Sequence, residues 1–89
     1  MRISDKKREK ISEQILAYLF SINPRPEFTN KIAQEIIRDE EFTKKLLLVL
    51  KKKDFVIEVK KNPQGTPYLK RSRWRLNPKI YKIYSERQQ

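Results

Sequence analysis

The sequence predicts a small α+β fold: three helices sharing one core, then a two-stranded β-hairpin and a short C-terminal helix. Three observations predict it. Apolar residues recur at three- and four-residue spacing as far as Lys53, the spacing of one face of a helix. After Asp54 the period drops to two, as in a strand. The turn-forming run Asn62-Pro63-Gln64-Gly65-Thr66-Pro67, which holds the only glycine, then divides the alternating stretch in two. The 89 residues suit a single domain spanning 1–89.

The first helix is expected from Asp5 to Ile22. Ile11, Ile15, Leu19 and Ile22 form its stripe, Leu16 and Tyr18 flank it, and Ser4 is the N-cap. Asn23-Pro24-Arg25-Pro26 ends it, because each proline disfavours helix in the residue before it. Thr29 is expected to cap a second helix, with Phe28 stapling its start and Ile32, Ala33, Ile36 and Ile37 facing inward. Arg38-Asp39-Glu40 interrupts the pattern. A third helix runs from about Glu41 to Lys53, capped by Asp39, with Phe42, Leu46, Val49 and Leu50 toward the core. Neither glycine nor proline marks the corner, so one long helix over 30–53 also fits these residues.

In the hairpin, Phe55, Ile57 and Val59 alternate with Val56, Glu58 and Lys60. The returning strand sets Tyr68, Trp74 and Leu76 on one face and Leu69, Arg71, Arg73 and Arg75 on the other. Asn77-Pro78 reads as an N-cap followed by proline in the first helical position. The last helix then carries Ile80, Tyr81, Ile83 and Tyr84.

Several stretches resemble one superfamily. They are Phe28-Thr29, Ile32-Ala33, the trio Leu46, Val49 and Leu50, and the closing Trp74-Arg75-Leu76. Lys53-Asp54-Phe55-Val56 is similar to the lysine–glycine–leucine–valine junction that often follows a recognition helix, with Asp54 where glycine is usual. Over about residues 8–77 the chain resembles the winged helix-turn-helix superfamily, in particular its small bacterial and archaeal transcription regulators. The resemblance implies a double-stranded DNA-binding protein and a transcription regulator. Its third helix would enter the major groove, and its hairpin would be a wing on nearby phosphates or the minor groove.

Charge points the same way. The chain has 22 Lys and Arg against 11 Asp and Glu, net +11. Residues 1–40 carry 8 basic and 7 acidic side chains, whereas residues 41–89 carry 14 and 4. Adaptation to heat through surface ion pairs would intersperse the signs. A one-sided excess instead suits a polyanionic partner.

The expected DNA-binding residues on the third helix are Thr43, Lys44, Lys45 and Lys51. Lysine reaches guanine O6 or N7, and threonine meets phosphate or a thymine methyl. On the wing they are Lys60, Lys61, Gln64, Thr66, Lys70, Arg71 and Arg73, with Gly65 and Arg75 beside them. The plainer reading of both sets is a solvated charged face. Glu40, Glu41, Leu47 and Leu48 depart from a simple DNA-facing helix. The acids suit cytosine N4 or the helix dipole, and Leu48 suits a protein partner or a thymine methyl. Ile80, Tyr81, Ile83 and Tyr84 either close the domain's own core or form a two-fold homodimer contact, the second being the expectation.

Other classes fail on inventory. There is no histidine, no cysteine and no glycine-rich phosphate loop, so no enzyme, cofactor or metal site is expected. No apolar run suits a signal peptide or a membrane span, so a cytoplasmic, nucleoid-associated protein is expected. Two alternatives stay open. One is a winged-helix adaptor between proteins, and the other is an RNA or single-strand binder, whose stacking platform would fall to Tyr68 and Tyr18.

Overall fold

The computed structural model describes residues 4–67 and 71–87. Helix α1 spans Asp5–Ile22, and the Ser4 hydroxyl accepts from Lys7 N at 3.2 Å, as an N-cap should. Its inner face buries Ile11, Ile15, Leu16 and Leu19. Strand β1 is only Glu27–Phe28, and α2 follows directly as Thr29–Ile36. Helix α3 spans Glu40–Lys52, strands β2 and β3 span Val56–Val59 and Arg73–Leu76, and α4 spans Pro78–Arg87.

Among the described residues the sheet has three strands, the two expected of the wing and, beside them, the unexpected β1. Their order is β1-β3-β2, all antiparallel, with Phe28 opposite Arg73 and Glu58 opposite Trp74. The returning strand begins at Arg73, later than expected, and Tyr68, Leu69 and Lys70 lie outside the described residues. Trp74 and Leu76 are fully buried, and with Val56 they carry the sheet's share of the core. Each such side chain contributes roughly 1.5–3 kcal/mol on burial.

Thr29 is the first helical residue and not the cap. Phe28 occupies the cap position without a side-chain hydrogen bond. Buried Thr29 instead accepts from Trp74 Nε1 through Oγ1 at 2.8 Å, tying α2 to β3. A buried indole N–H needs such an acceptor. Helix α2 ends at Ile37, which is left-handed (φ 55°) and 86% exposed, against the expectation that it faces inward. There Arg38 N donates to Ala33 O and Ile37 N to Gln34 O, a helix ending in which glycine is usual. Helix α3 closes the same way, with Phe55 N on Leu50 O and Asp54 N on Lys51 O. Asp54 stands there at φ 62°, which explains an aspartate where glycine is usual, since aspartate tolerates this conformation better than most residues.

Asp39 caps α3 as expected, accepting from Glu41 N at 3.1 Å and Phe42 N at 3.0 Å. The inner face of α3 is Thr43, Leu46, Leu47 and Leu50, however, and not Phe42, Leu46, Val49 and Leu50. Phe42 is partly buried, and Val49 lines a groove with Leu16, Phe55 and Tyr84 at the junction of α1 and α4. The C-terminal helix starts as expected, with Asn77 Oδ1 accepting from Lys79 N at 2.9 Å. It folds back on α1, where Phe20 stacks on Tyr81 at 5.0 Å and meets Tyr84 edge-on at 6.1 Å.

Candidate nucleic-acid interface

The face of α3 follows from its core register. With Thr43, Leu46, Leu47 and Leu50 turned inward, about 100° per residue places Glu41, Lys45, Leu48 and Lys52 directly outward. Lys44 and Lys51 lie on the flank nearer the sheet. Thr43 drops out of the expected site: it is fully buried, and its hydroxyl donates to Asp39 O at 2.8 Å. That local bond satisfies the hydroxyl and lets a polar residue join the core. Leu47 is likewise fully buried, which removes one awkward residue from the outer face. Lys52, not among the expected residues, takes a place there. Its spacing from Lys45 and Leu48 marks it once the register is known.

Lys51 is anchored by the hairpin. Its Nζ donates to Glu58 Oε1 at 2.8 Å, Ser72 Oγ donates to Glu58 Oε2, and Lys60 Nζ stands 3.9 Å away. Glu58 sits opposite Trp74 on the core side of the sheet, with its side chain only 8% exposed. Burial opposes its ionisation, but hydrogen bonds from Lys51 and Ser72 and the charges of Lys51 and Lys60 outweigh it. Together they hold the carboxyl below its ordinary range. In the sequence Glu58 is only one position of an alternating strand. It is the pin between α3 and the hairpin.

At the hairpin tip Asn62 Oδ1 accepts from Gln64 N at 3.0 Å and Thr66 N at 2.8 Å, and Gly65 adopts φ 85°. A side-chain acceptor thus fixes the turn, and only glycine takes that backbone angle without strain. Lys60, Lys61, Gln64 and Thr66 are exposed around it. Further back, the Arg71 guanidinium lies 4.5 Å from the Phe28 ring centroid and that of Arg73 lies 5.5 Å away. Arg73 also donates to Pro26 O at 3.2 Å. Strand β1 therefore orients two of the expected arginines. Arg71 and Lys44 line one small cleft with Phe28, Asn30 and Glu40, which brings α3 and the hairpin together. Lys70 lies outside the described residues.

The aromatics form no stacking platform among the described residues. Trp74 is buried, Phe42 and Phe55 pack on the core, and the Tyr18 hydroxyl donates to Glu27 at 3.4 Å. Nor do three acidic side chains converge there as a metal site would need, and no described helix is long and apolar enough to cross a membrane.

No protein-family model matches the chain, and no curated protein sequence does either. Solved structures do. MepR, a transcription regulator of the Staphylococcus aureus multidrug efflux pump MepA, superposes with a TM-score of 0.68 at 21% identity, over 92% of this chain and 60% of its own. The fold is a winged helix. A complex of S. aureus MepR with DNA matches at 0.67 and 23% identity, over 96% of this chain and 75% of that one. Lactococcus lactis ZitR matches at 0.62 and 15%, over 84% and 49%. The chain thus spans about three fifths of the length of the MepR chain. In a winged helix α3 occupies the position of the recognition helix, and the hairpin from β2 to β3 that of the wing.

Proposed function

We propose that this winged helix binds double-stranded DNA and serves a transcription regulator. Helix α3 lies in the major groove and the wing lies on adjacent phosphates or in the minor groove. The observation that carries this reading is the placement of charge. Residues 41–89 hold 14 basic against 4 acidic side chains, and α3 after its first residue, the wing strands and α4 fall within that stretch. Lys45 and Lys52 project from the outer face of α3 and Lys44 from its flank nearer the sheet, while Lys60, Lys61, Gln64 and Thr66 are exposed on the wing. The MepR–DNA complex among the structural neighbours supports the same reading. The site of action is nucleoid DNA in the cytoplasm. The working unit is a homodimer joined through α4. Ile80 and Tyr84 are partly buried within their own chain there, whereas Tyr81 and Ile83 remain 37% and 49% exposed.

Fluorescence anisotropy with a labelled duplex at two salt concentrations tests the reading. Binding that weakens steeply with salt is expected, because each neutralised phosphate releases counterions. Equal affinity for duplex and single strand, or none for either, would refute it.

A further inference from the structure

We propose that Leu48 reads sequence: its side chain packs against the 5-methyl group of a thymine on the floor of the major groove. The inference rests on the duplex-binding reading above and names what the recognition helix recognises.

Leu48 is 42% exposed at the middle of the outward face of α3. Its helical neighbours three and four residues away on both sides are Lys44, Lys45, Lys51 and Lys52, all exposed. Lys51 is held by Glu58. Among the described residues, the side chains of Lys44, Lys45 and Lys52 carry no hydrogen bond or ion pair. An apolar knob inside a ring of cations needs a partner that is apolar at its centre and anionic around it. A major groove at a T·A pair is built that way, with the methyl group on its floor and phosphates along both rims. The protein alternative fits less well. Val49, the next exposed apolar residue of α3, faces the groove toward α1 with Leu16 and Phe55, so Leu48 stands alone on its face. One leucine is far smaller than a stable protein interface requires. Glu41, on the same outward face, repels phosphate and so belongs over the groove floor, where cytosine N4 is a donor.

The test starts from sites that the whole chain selects out of a random duplex pool. Each thymine of the consensus is then replaced by deoxyuridine, which pairs identically but lacks the methyl group, and Kd is read by anisotropy. At one thymine the replacement should weaken binding about fourfold, the value of one buried methyl. Leu48→Ala should lose at least as much on the thymine duplex and be indifferent to the replacement. Leu48→Met, which keeps apolar reach, should retain the preference. Both variants leave the core untouched, and equal melting temperatures confirm their folding. If no deoxyuridine changes the affinity, or Leu48→Ala discriminates as the parent does, the inference fails while salt-dependent duplex binding stands. If the pool gives no consensus and Leu48→Ala instead lowers self-association in sedimentation, Leu48 is a protein contact and the inference is wrong. Failure to bind any duplex would overturn both readings.

Discussion

Replacing Thr29 by valine keeps the shape of the side chain and deletes only its hydroxyl, leaving Trp74 Nε1 without an acceptor in the core. The bond it removes is 2.8 Å long, between a residue 7% exposed and one fully buried. Ser72 O keeps a donor, since the Thr29 backbone N–H also reaches it at 3.3 Å, so the loss centres on the indole. An unsatisfied buried donor costs about 1–3 kcal/mol. For a domain of this size that lowers Tm by roughly 4–8 °C per kcal/mol. Thermal unfolding followed through the single tryptophan reads this directly. A companion variant, Thr29→Asn, separates the two roles. Asparagine caps helices at least as well as threonine, so a capping Thr29 would tolerate it. In the observed role it must bury a larger amide and should destabilise at least as much as valine. If Thr29→Asn melts with the parent, or Thr29→Val costs less than about 0.5 kcal/mol, the α2–β3 tie is not what the structure implies.

Three further outcomes are expected. Ile37→Gly should stabilise by about 0.5–1 kcal/mol, because it relieves a left-handed β-branched residue that buries almost nothing, against glycine's greater freedom when unfolded; a lower Tm would contradict this. Glu58 has its carboxyl held below the ordinary 4.5, so its stabilisation is present above that pH and is lost as pH falls through the folded-state value. Glu58→Gln should therefore melt lower than the parent near neutrality and converge with it in acid. It should also steepen the salt dependence of DNA binding by about one unit as Lys51 is released, and a shallower dependence would count against the pin. Ile83→Lys should give a monomer by sedimentation while leaving the Phe20–Tyr81 stack in place, whereas an unchanged dimer would place the contact elsewhere.

Sequence alone made the element order and most of the core legible, because long periodic stretches dominate α1, α3 and the hairpin. The caps at Ser4, Asp39 and Asn77 were legible too, each an oxygen-bearing residue just ahead of its helix. What escaped depends on contacts between distant residues. Strand β1 is two residues long and exists only by pairing with β3. Thr29 has the composition of a cap but is claimed by an indole 45 residues away. The register of α3 is not legible from apolar spacing, because Thr43 is polar and enters the core only through its bond to Asp39 O. Reading it as exposed puts Thr43 in place of Lys52 at the candidate interface and leaves Leu47 unexplained. The charge excess of the wing is legible without any register, since it is additive along the chain, whereas where its returning strand starts is not.

The most direct test of duplex binding through the wing and α3 is the slope of log K against log salt for the parent and two double variants. The parent should neutralise about six to eight phosphates and give a slope near −5 to −7. Lys61→Ala with Arg71→Ala should weaken binding similarly on every sequence and flatten the slope by about two. Lys44→Ala with Lys45→Ala should in addition change the discrimination between sites. A wing variant with the parent's slope and affinity would place the interface elsewhere on the molecule, and the absence of duplex binding at low salt would contradict the account at its centre.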